Sequence, residues 1–197
     1  KDDSLRPDHL VVLAGGNATR LGPITATMSK ALVTVGSKPM IIHQLLGIDA
    51  RRVTVVTSPT NTRQVGTLIQ RTFGDNDWVR IVEQPRARGP VDAIRLGLAG
   101  VMGNEYTVII MADSLYDFAT EVETAIQEPA RDWVATLEAG GQPERSFCWT
   151  DGENWEDSAD WDPTDRIFTG LIVTKNPTVW RREAADIMSD DNQFDEI

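Results

Sequence analysis

Short apolar runs alternate with longer amphipathic stretches along most of this chain. Runs rich in β-branched residues and leucine have the length and composition of β-strands. They predict strands near 9–14, 31–35, 52–57, 78–83, 106–112, 132–138, 145–150 and 166–174. Stretches with apolar residues at helical spacing predict helices near 39–47, 60–72, 90–102, 117–127 and 177–188. Because strands and helices alternate through residue 127, the pattern predicts an α/β protein, a three-layer sandwich whose sheet is mostly parallel.

The first predicted strand ends in a glycine turn that suits a phosphate. The turn consists of Leu13, Ala14, Gly15 and Gly16. Glycine lets a ligand approach the main chain closely, and successive N–H groups in such a turn can bind phosphate oxygens. Arg20 adds a permanently charged fork and Lys30 a compact charge, so the segment predicts a site for a nucleoside triphosphate. A glycine pair alone could also be a tight turn, and the spacing fits neither the dinucleotide motif nor the Walker motif.

The same segment resembles the signature of the sugar-phosphate nucleotidylyltransferases, most closely their glucose-1-phosphate thymidylyl- and uridylyltransferase branch. That signature is L-A-G-G-x-G-T-R-L-x-P-x-T, followed by S-K and then by K-P-M-I. This chain has LAGGNATRLGPIT at 13–25, Ser29-Lys30 and Lys38–Ile41, with Ala18 where the family prefers a third glycine. The resemblance covers most of the chain, fades after Thr174, and implies one GT-A-like domain over 1–197, the nucleotide-diphospho-sugar transferase fold.

The resemblance also implies the donor side of an active site. It makes Arg20 and Lys30 the catalytic cations, with Lys30 at the α-phosphate, while the glycine turn binds the triphosphate. In the family, a glutamine and a glycine after a later strand recognise the base, and they match Gln84 and Gly89. An aspartate after the central strand holds Mg²⁺ in the family, and it matches Asp113.

The position of Asp113 supports a ligand site independently of the resemblance. It follows a predicted central strand, and open α/β sheets bind ligands at the carboxyl ends of such strands. Magnesium is held by one or two carboxylates together with phosphate and water oxygens, so one aspartate is sufficient to begin a site. The alternative is that Asp113 caps the helix predicted at 117–127.

The second half of the chain matches the family less well. The family binds the sugar phosphate with a lysine in a Glu-Lys-Pro segment, and no lysine occurs here between Lys38 and Lys175. Residues 151–165 are strongly acidic, and we expect a β-hairpin excursion there over the acceptor side, with a solvated loop as the alternative. Thr169 and Gly170 match a sugar-contacting strand of the family, which implies that they bind the acceptor.

Composition narrows the choice of partners and of cellular location. The formal net charge of -11 argues against nucleic acid but not against a nucleotide, because nearby charges decide the field in a cleft. No apolar run approaches the length of a membrane span and the first residues lack a signal-peptide pattern, so we expect a cytoplasmic protein. The single cysteine excludes an internal disulfide, and no Cys or His cluster has zinc spacing. Homo-oligomers are frequent in the resembled family.

These observations favour an enzyme that transfers a nucleotidyl group from dTTP or UTP to a sugar 1-phosphate or similar phosphorylated acceptor, with Mg²⁺ and release of pyrophosphate. One alternative is a non-catalytic or regulatory nucleotide-binding module that kept the donor half. The other is a GT-A-type glycosyltransferase that uses a finished sugar nucleotide. Such an enzyme typically needs a D-x-D metal motif, and Asp160-Trp161-Asp162 has those letters within the acidic segment.

Overall fold

A computed structural model describes the greater part of the chain. The described residues are 5–16, 22, 28–115, 117–127, 132–138, 147–150, 155–158 and 166–191. Of these, only the backbone is described at 119, 134–138, 147–150, 155–158, 166–169 and 187–191.

The strands and helices follow the predicted alternation. The strands are β1 (His9–Leu13), β2 (Thr34–Val35), β3 (Lys38–Pro39), β4 (Arg52–Thr57), β5 (Val79–Glu83), β6 (Thr107–Met111), β7 (Trp133–Glu138), β8 (Phe147–Thr150), β9 (Trp155–Ser158) and β10 (Arg166–Thr174). The helices are α1 (Met40–Ile48), α2 (Thr62–Phe73), α3 (Gly89–Gly97), α4 (Phe118–Gln127) and α5 (Pro177–Asp191), and a 3-10 turn spans Lys30–Leu32.

The main sheet is mixed, with a parallel half and an antiparallel half. Its strand order is β5-β4-β1-β6-β10-β8-β9, and β7 also pairs with β10. Strands β5, β4, β1 and β6 run parallel, while β10 runs antiparallel to β6. Leu13 lies beside Val56 on β4 and Met111 on β6, so the parallel strands end at one edge of the sheet.

Helices cover both faces of this sheet and bury a separate core on each. On one face Leu10 and Val12 of β1 pack with Ile41 of α1. On the other face Val11 packs with Ala93 of α3. The alternation of side chains along β1 places these residues on opposite faces. The predicted α/β class, with helices on the two faces of a central sheet, is therefore confirmed.

The strand predicted at 31–35 is wrong over its first part. The backbone turns at Lys30–Leu32, where the N–H of Leu32 donates to Ser29 O at 2.9 Å. Only Thr34–Val35 is extended, and it pairs with Lys38–Pro39 as a small separate hairpin. Ala31 is buried in the core while Thr34 and Val35 are exposed. The start of the apolar run therefore packs in the core, and its end lies in the surface hairpin.

Helix α3 is shorter than the predicted 90–102. It ends at Gly97, and the chain then turns so that Leu98 and Val101 both enter the core. Gly97 is where the helix approaches the sheet, because a Cβ added there would lie 2.3 Å from Val11 Cγ1 and 3.2 Å from Val56 Cγ2. Valine has little freedom to turn away from such a contact.

We expect Gly97→Ala to destabilise the protein by about 1–2 kcal/mol. Overpacking a core costs about 1–3 kcal/mol, and the better helix propensity of alanine offsets up to about 1 kcal/mol of that. Urea denaturation of the two proteins measures the difference. Gly103→Ala is the matched control, because its added Cβ would meet Thr178 at an ordinary 3.8 Å. Equal stability of the two variants would contradict the close packing of α3 against β1.

Candidate active site

The four parallel strands end side by side at one edge of the sheet, and backbone hydrogen bonds between neighbouring segments continue past the strand ends. The N–H of Ala14 donates to Val56 O at 2.7 Å, and the N–H of Ala112 donates to Leu13 O at 3.0 Å. On the far side, the N–H of Gln84 donates to Thr57 O at 2.8 Å. The glycine turn, which follows β1, therefore lies between the residues that follow β4 and those that follow β6. Gln84, which follows β5, lies one strand further out, beyond β4.

Lys30 and Asp113 meet at this edge, although they lie 83 positions apart in the chain. The ammonium of Lys30 donates to Asp113 Oδ2. The two side chains are 37% and 35% exposed, so water screens the pair and its contribution to stability is at most about 1 kcal/mol. Ala31, buried directly after Lys30, fixes the 3-10 turn against the core. The pair is thus placed by the fold and remains accessible to a ligand.

Gln44 of α1 holds the turn that carries Asp113. Its fully buried amide Nε2 donates to Met111 O and to Ser114 O, both at 2.8 Å. No hydrogen-bond partner for its Oε1 lies in the described part of the chain. A buried amide is costly unless it is hydrogen-bonded, so the two bonds of Nε2 justify a polar side chain in the apolar sequence MIIHQLLGI. Sequence analysis did not identify Gln44, for which this exception was the available signal.

Gly170 of β10 packs on the same turn. Its φ of +97° is a conformation that other residues rarely adopt, and an added Cβ would lie 3.0 Å from Ser114 Oγ and 3.1 Å from Met111 Cβ. The glycine is therefore needed for packing beside Asp113. Its proposed contact with an acceptor stays a prediction, as does that of Thr169, whose backbone lies in β10.

Asp113 does not lie in the first turn of α4. That helix begins at Phe118, and Asp117 occupies its amino-terminal end, where Asp117 Oδ2 accepts from Thr120 Oγ1 at 2.8 Å. The carboxylate of Asp113 instead faces Lys30. Within the described ranges, no three His, Cys, Asp or Glu side chains come together as a metal-binding group.

Gln84 lies against both the glycine turn and the start of α3. Its Nε2 donates to Gly89 O at 3.1 Å and to Asp92 Oδ2 at 3.0 Å. Its Oε1 is turned towards Gly15, where an added Cβ would lie 3.5 Å from that oxygen. Gly89 has a φ of +80°, a conformation that residues other than glycine rarely adopt. The structure thus brings together three residues that sequence analysis placed in the nucleotide site.

Asp92 fixes the orientation of the Gln84 amide. Burial raises the pKa of the Asp92 carboxyl, but hydrogen bonds from Gln84 and Arg95, together with the charges of Arg95 and Arg88, outweigh burial and lower it. Arg95 donates to Asp92 Oδ1 at 3.0 Å from Nε and 2.7 Å from Nη2. An ionised carboxylate only accepts hydrogen bonds, so Gln84 must present its Nε2 to Asp92 and its Oε1 to the glycine turn. Sequence analysis did not identify Asp92, although its spacing from Arg95 is that of a helical ion pair.

Several predicted features fall outside the described residues. They are Ala18, Arg20 and Asp160-Trp161-Asp162. Of the predicted excursion at 151–165, the described part is β9, which pairs antiparallel with β8. Among the described helices, none is long and apolar enough to cross a membrane.

The glycine turn, the parallel strand ends and the mixed sheet define an α/β fold of the nucleotide-diphospho-sugar transferase class. The chain belongs to the sugar-phosphate nucleotidylyltransferases, since the family model described as nucleotidyl transferase matches residues 9–148. The predicted family is thereby confirmed.

Individual relatives agree with this family. A glucose-1-phosphate thymidylyltransferase of Neisseria meningitidis serogroup A is 30% identical over 183 residues, which cover 86% of this chain and 62% of that protein. A mannose-1-phosphate guanyltransferase of Neurospora crassa is 29% identical over 136 residues, covering 66% of this chain and 34% of that protein. The chain thus spans less than two thirds of the length of these relatives.

A solved structure supports the fold. A Bacillus anthracis protein assigned as a glucose-1-phosphate thymidylyltransferase, in complex with sucrose, superposes with a TM-score of 0.69 and 22% identity. The match covers 87% of this chain and 72% of that one. At this identity the likeness establishes the architecture, and the chemistry has to be argued from the residues of this chain.

Proposed function

We propose that this protein transfers a nucleotidyl group from a nucleoside triphosphate, with dTTP or UTP favoured, to a sugar 1-phosphate or a similar phosphorylated acceptor. The observation that carries the proposal is the meeting of Lys30 and Asp113 beside the glycine turn. An ammonium and a carboxylate at this edge provide one group for phosphate oxygens and one for the cation that accompanies a triphosphate. The names of the thymidylyltransferase relatives support the choice of substrates.

The reaction requires the protein mainly to align the acceptor phosphate with the triphosphate and to neutralise the negative charge of the phosphates. An oxygen of the acceptor phosphate forms a bond to the α-phosphorus, and the bond from that phosphorus to the oxygen bridging to the β-phosphate breaks. Pyrophosphate leaves with the electron pair. Lys30 would lie at the α-phosphate and stabilise the charge that develops there, while the N–H groups of Gly15 and Gly16 would hold the triphosphate. Arg20, in the same signature, would add a second cation.

Asp113 is the residue that would hold Mg²⁺. Its carboxylate is 35% exposed at the end of β6, and one carboxylate with phosphate and water oxygens is a normal donor set for this ion. When bound, Mg²⁺ supplies neutralisation of phosphate charge. On binding of the nucleotide, Lys30 would exchange Asp113 for a phosphate oxygen, which leaves the carboxylate free to coordinate.

The Gln84 amide supports a base that carries a ring N–H. Because Asp92 and Gly89 O take both hydrogens of Nε2, only Oε1 remains to face a base, and it can only accept. Thymine and uracil offer N3–H to such an acceptor. Guanine offers N1–H, and one relative is named a mannose-1-phosphate guanyltransferase, so GTP belongs in the test.

The acceptor side differs most from the pattern of the resembled family. Thr169 and Gly170 are its candidate residues, and no lysine occurs between Lys38 and Lys175 to bind a sugar phosphate. A nucleotide-binding module without turnover is therefore the second candidate, favoured by this missing lysine.

A pyrophosphate-release screen tests the proposal. We expect release with dTTP or UTP and at least one sugar 1-phosphate, and loss of release when EDTA removes the metal. Calorimetry with each triphosphate measures binding separately. Binding of a triphosphate without release for any acceptor would favour the non-catalytic module. Transfer from a finished sugar nucleotide would favour the glycosyltransferase, and absence of both binding and release would overturn the proposal.

A further inference from the structure

Asn61 is a buried polar side chain beside the candidate site to which sequence analysis gave no role. It follows β4 and is only 4% exposed. Its Nδ2 donates to Ala14 O at 2.7 Å and to Ser29 Oγ at 2.9 Å. Its Oδ1 accepts from the N–H of Ser58 at 2.9 Å. Both ends of the amide are therefore hydrogen-bonded, and the two donor bonds reach 47 and 32 positions along the chain.

The two groups that Asn61 joins are separated by residues 15–28 in the sequence. Ala14 precedes the glycine pair, and Ser29 precedes Lys30. The Nδ2 atom thus bridges the start of the glycine turn to Ser29, which directly precedes Lys30, the catalytic lysine of the proposed reaction. Gln64 of α2 adds a second, longer contact to Ser29, whose N–H donates to Gln64 Oε1 at 3.4 Å. Asn61 and Gln64 therefore both bind Ser29, and Asn61 also binds Ala14, so positions 14 and 29 are held near each other.

Asn61 is itself held firmly, so it can serve as a fixed point. Its backbone N–H donates to Ser58 O at 3.0 Å, and its carbonyl accepts from the N–H of Val65 at 3.0 Å. It is the N-cap residue of α2, although its side chain makes no capping bond to that helix. The side chain therefore bonds to Ala14, Ser29 and Ser58 rather than to the helix that it precedes.

Asn76 is an asparagine whose side chain bonds to nearby backbone groups, which makes it a useful comparison with Asn61. Its Oδ1 accepts from the N–H of Val79 at 3.0 Å, and its Nδ2 donates to Gly74 O at 3.1 Å. Both of these partners lie within three positions of Asn76. The Asn61 oxygen likewise accepts from a nearby backbone N–H, that of Ser58, but its nitrogen connects two other segments of the chain. The comparison separates the ordinary turn function from the bridging function.

We propose that Asn61 is a positioning residue for nucleotidyl transfer, which holds the glycine turn and Lys30 at the separation that a bound triphosphate requires. This inference rests on the proposed function. Without the bridge, the glycine turn and Lys30 must be brought to this separation when the nucleotide binds, and Lys30 loses a fixed position at the α-phosphate. Both affinity for the triphosphate and the rate of transfer should fall. Under the proposed function the acceptor is bound by Thr169 and Gly170 of β10, so its KM should stay near the wild-type value.

Asn61→Asp is the sharpest variant, because it keeps the oxygen that accepts from Ser58 and replaces the donating nitrogen. We expect kcat/KM for the triphosphate to fall about 10- to 100-fold, with KM for the sugar 1-phosphate changed less than about twofold. Asn76→Asp is the matched control and should keep wild-type kinetics. Ser29→Ala removes one partner of Nδ2 from a half-exposed position, and it should give a smaller loss of the same kind, about 3- to 10-fold.

The kinetic pattern distinguishes positioning from a general loss of stability. The measurements are kcat, both KM values, the triphosphate Kd by calorimetry, and Tm, all at a temperature well below unfolding. If wild type turns over and Asn61→Asp matches Asn76→Asp, the inference about Asn61 is overturned and the proposed function stands. Equal rises in both KM values would also overturn it. If wild type binds the triphosphate without turnover, the Kd comparison decides in the same way, and if Asn61→Asp does not fold, Ser29→Ala decides. If wild type binds no triphosphate, both proposals fail.

Discussion

Lys30→Ala is expected to lower kcat for pyrophosphate release by about 10²- to 10³-fold, the usual cost of removing one preorganised donor from a developing charge. The ammonium would act mainly on the transition state, so KM for the triphosphate should rise much less than kcat falls. Stability should change little, because the pair with Asp113 is screened by water and the carboxylate left behind is solvated. Steady-state kinetics and Tm of the same preparations measure the two effects.

Lys175→Ala is the matched control for this prediction. Lys175 follows β10 at the opposite edge of the sheet, where its ammonium lies 5.0 Å from the centre of the Tyr106 ring. The same change of charge there should leave kcat at the wild-type level. If Lys30→Ala retains more than a third of wild-type kcat, Lys30 is not the group that stabilises the reacting phosphate.

Acid is expected to weaken the fold through His9, by about 3 kcal/mol between pH 6.5 and pH 4. Burial, then the charge of Arg52, lowers the pKa of His9 from 6.5 to about 4, against an opposing effect of Glu105. The folded pKa lies below the unfolded one, so the neutral imidazole is stabilised. This contribution is complete above pH 6.5 and is lost as the pH falls towards 4, at about 1.4 kcal/mol per pH unit.

The surroundings of His9 explain why its protonation is costly. Its Nε2 is 2.9 Å from Thr54 Oγ1, and no partner for its Nδ1 lies among the described residues. A protonated ring would need an acceptor for a second N–H at that buried position. NMR titration of the ring measures the pKa directly, and urea denaturation from pH 4 to 7.5 measures the stability.

His9→Gln removes the titrating group at this position and should flatten that part of the stability curve. Because carboxyl groups also titrate in this range, the informative quantity is the difference between the wild-type and variant curves. His43→Gln, the same replacement at the other histidine, should retain the wild-type slope. Parallel curves for wild type and His9→Gln would show that His9 does not carry the effect.

The fold was predictable because its signals are local. The apolar runs of β1, β4 and β6 are bounded by turn residues, and almost all of their residues are buried. The strand predicted at 31–35 was wrong because only Ala31 and the partly buried Leu32 pack against the core, while Thr34 and Val35 lie at the surface. Periodicity over five residues cannot distinguish that arrangement from a short buried strand.

Some residues of the candidate site could be predicted from local sequence motifs, and others could not because their partners are distant in the chain. Lys30 and Asp113 were proposed because Lys30 stands in a recognisable motif and Asp113 follows the apolar run of β6. Gln44, Asn61 and Asp92 were not identified, because their partners are backbone carbonyls or side chains contributed by other segments. Such residues carry the same letters as ordinary surface polar residues, and only the folded chain shows that they are buried.

The contact between Lys30 and Asp113 has a consequence for which anions the site would retain. With the two side chains paired, the lysine offers little net attraction to free phosphate, which would have to compete with the carboxylate for it. A nucleotide that arrives already complexed with its metal would instead satisfy both partners in one exchange. Under the proposed function, the unliganded enzyme would therefore discriminate against free pyrophosphate and phosphate, and inhibition by these anions should strengthen when magnesium accompanies them.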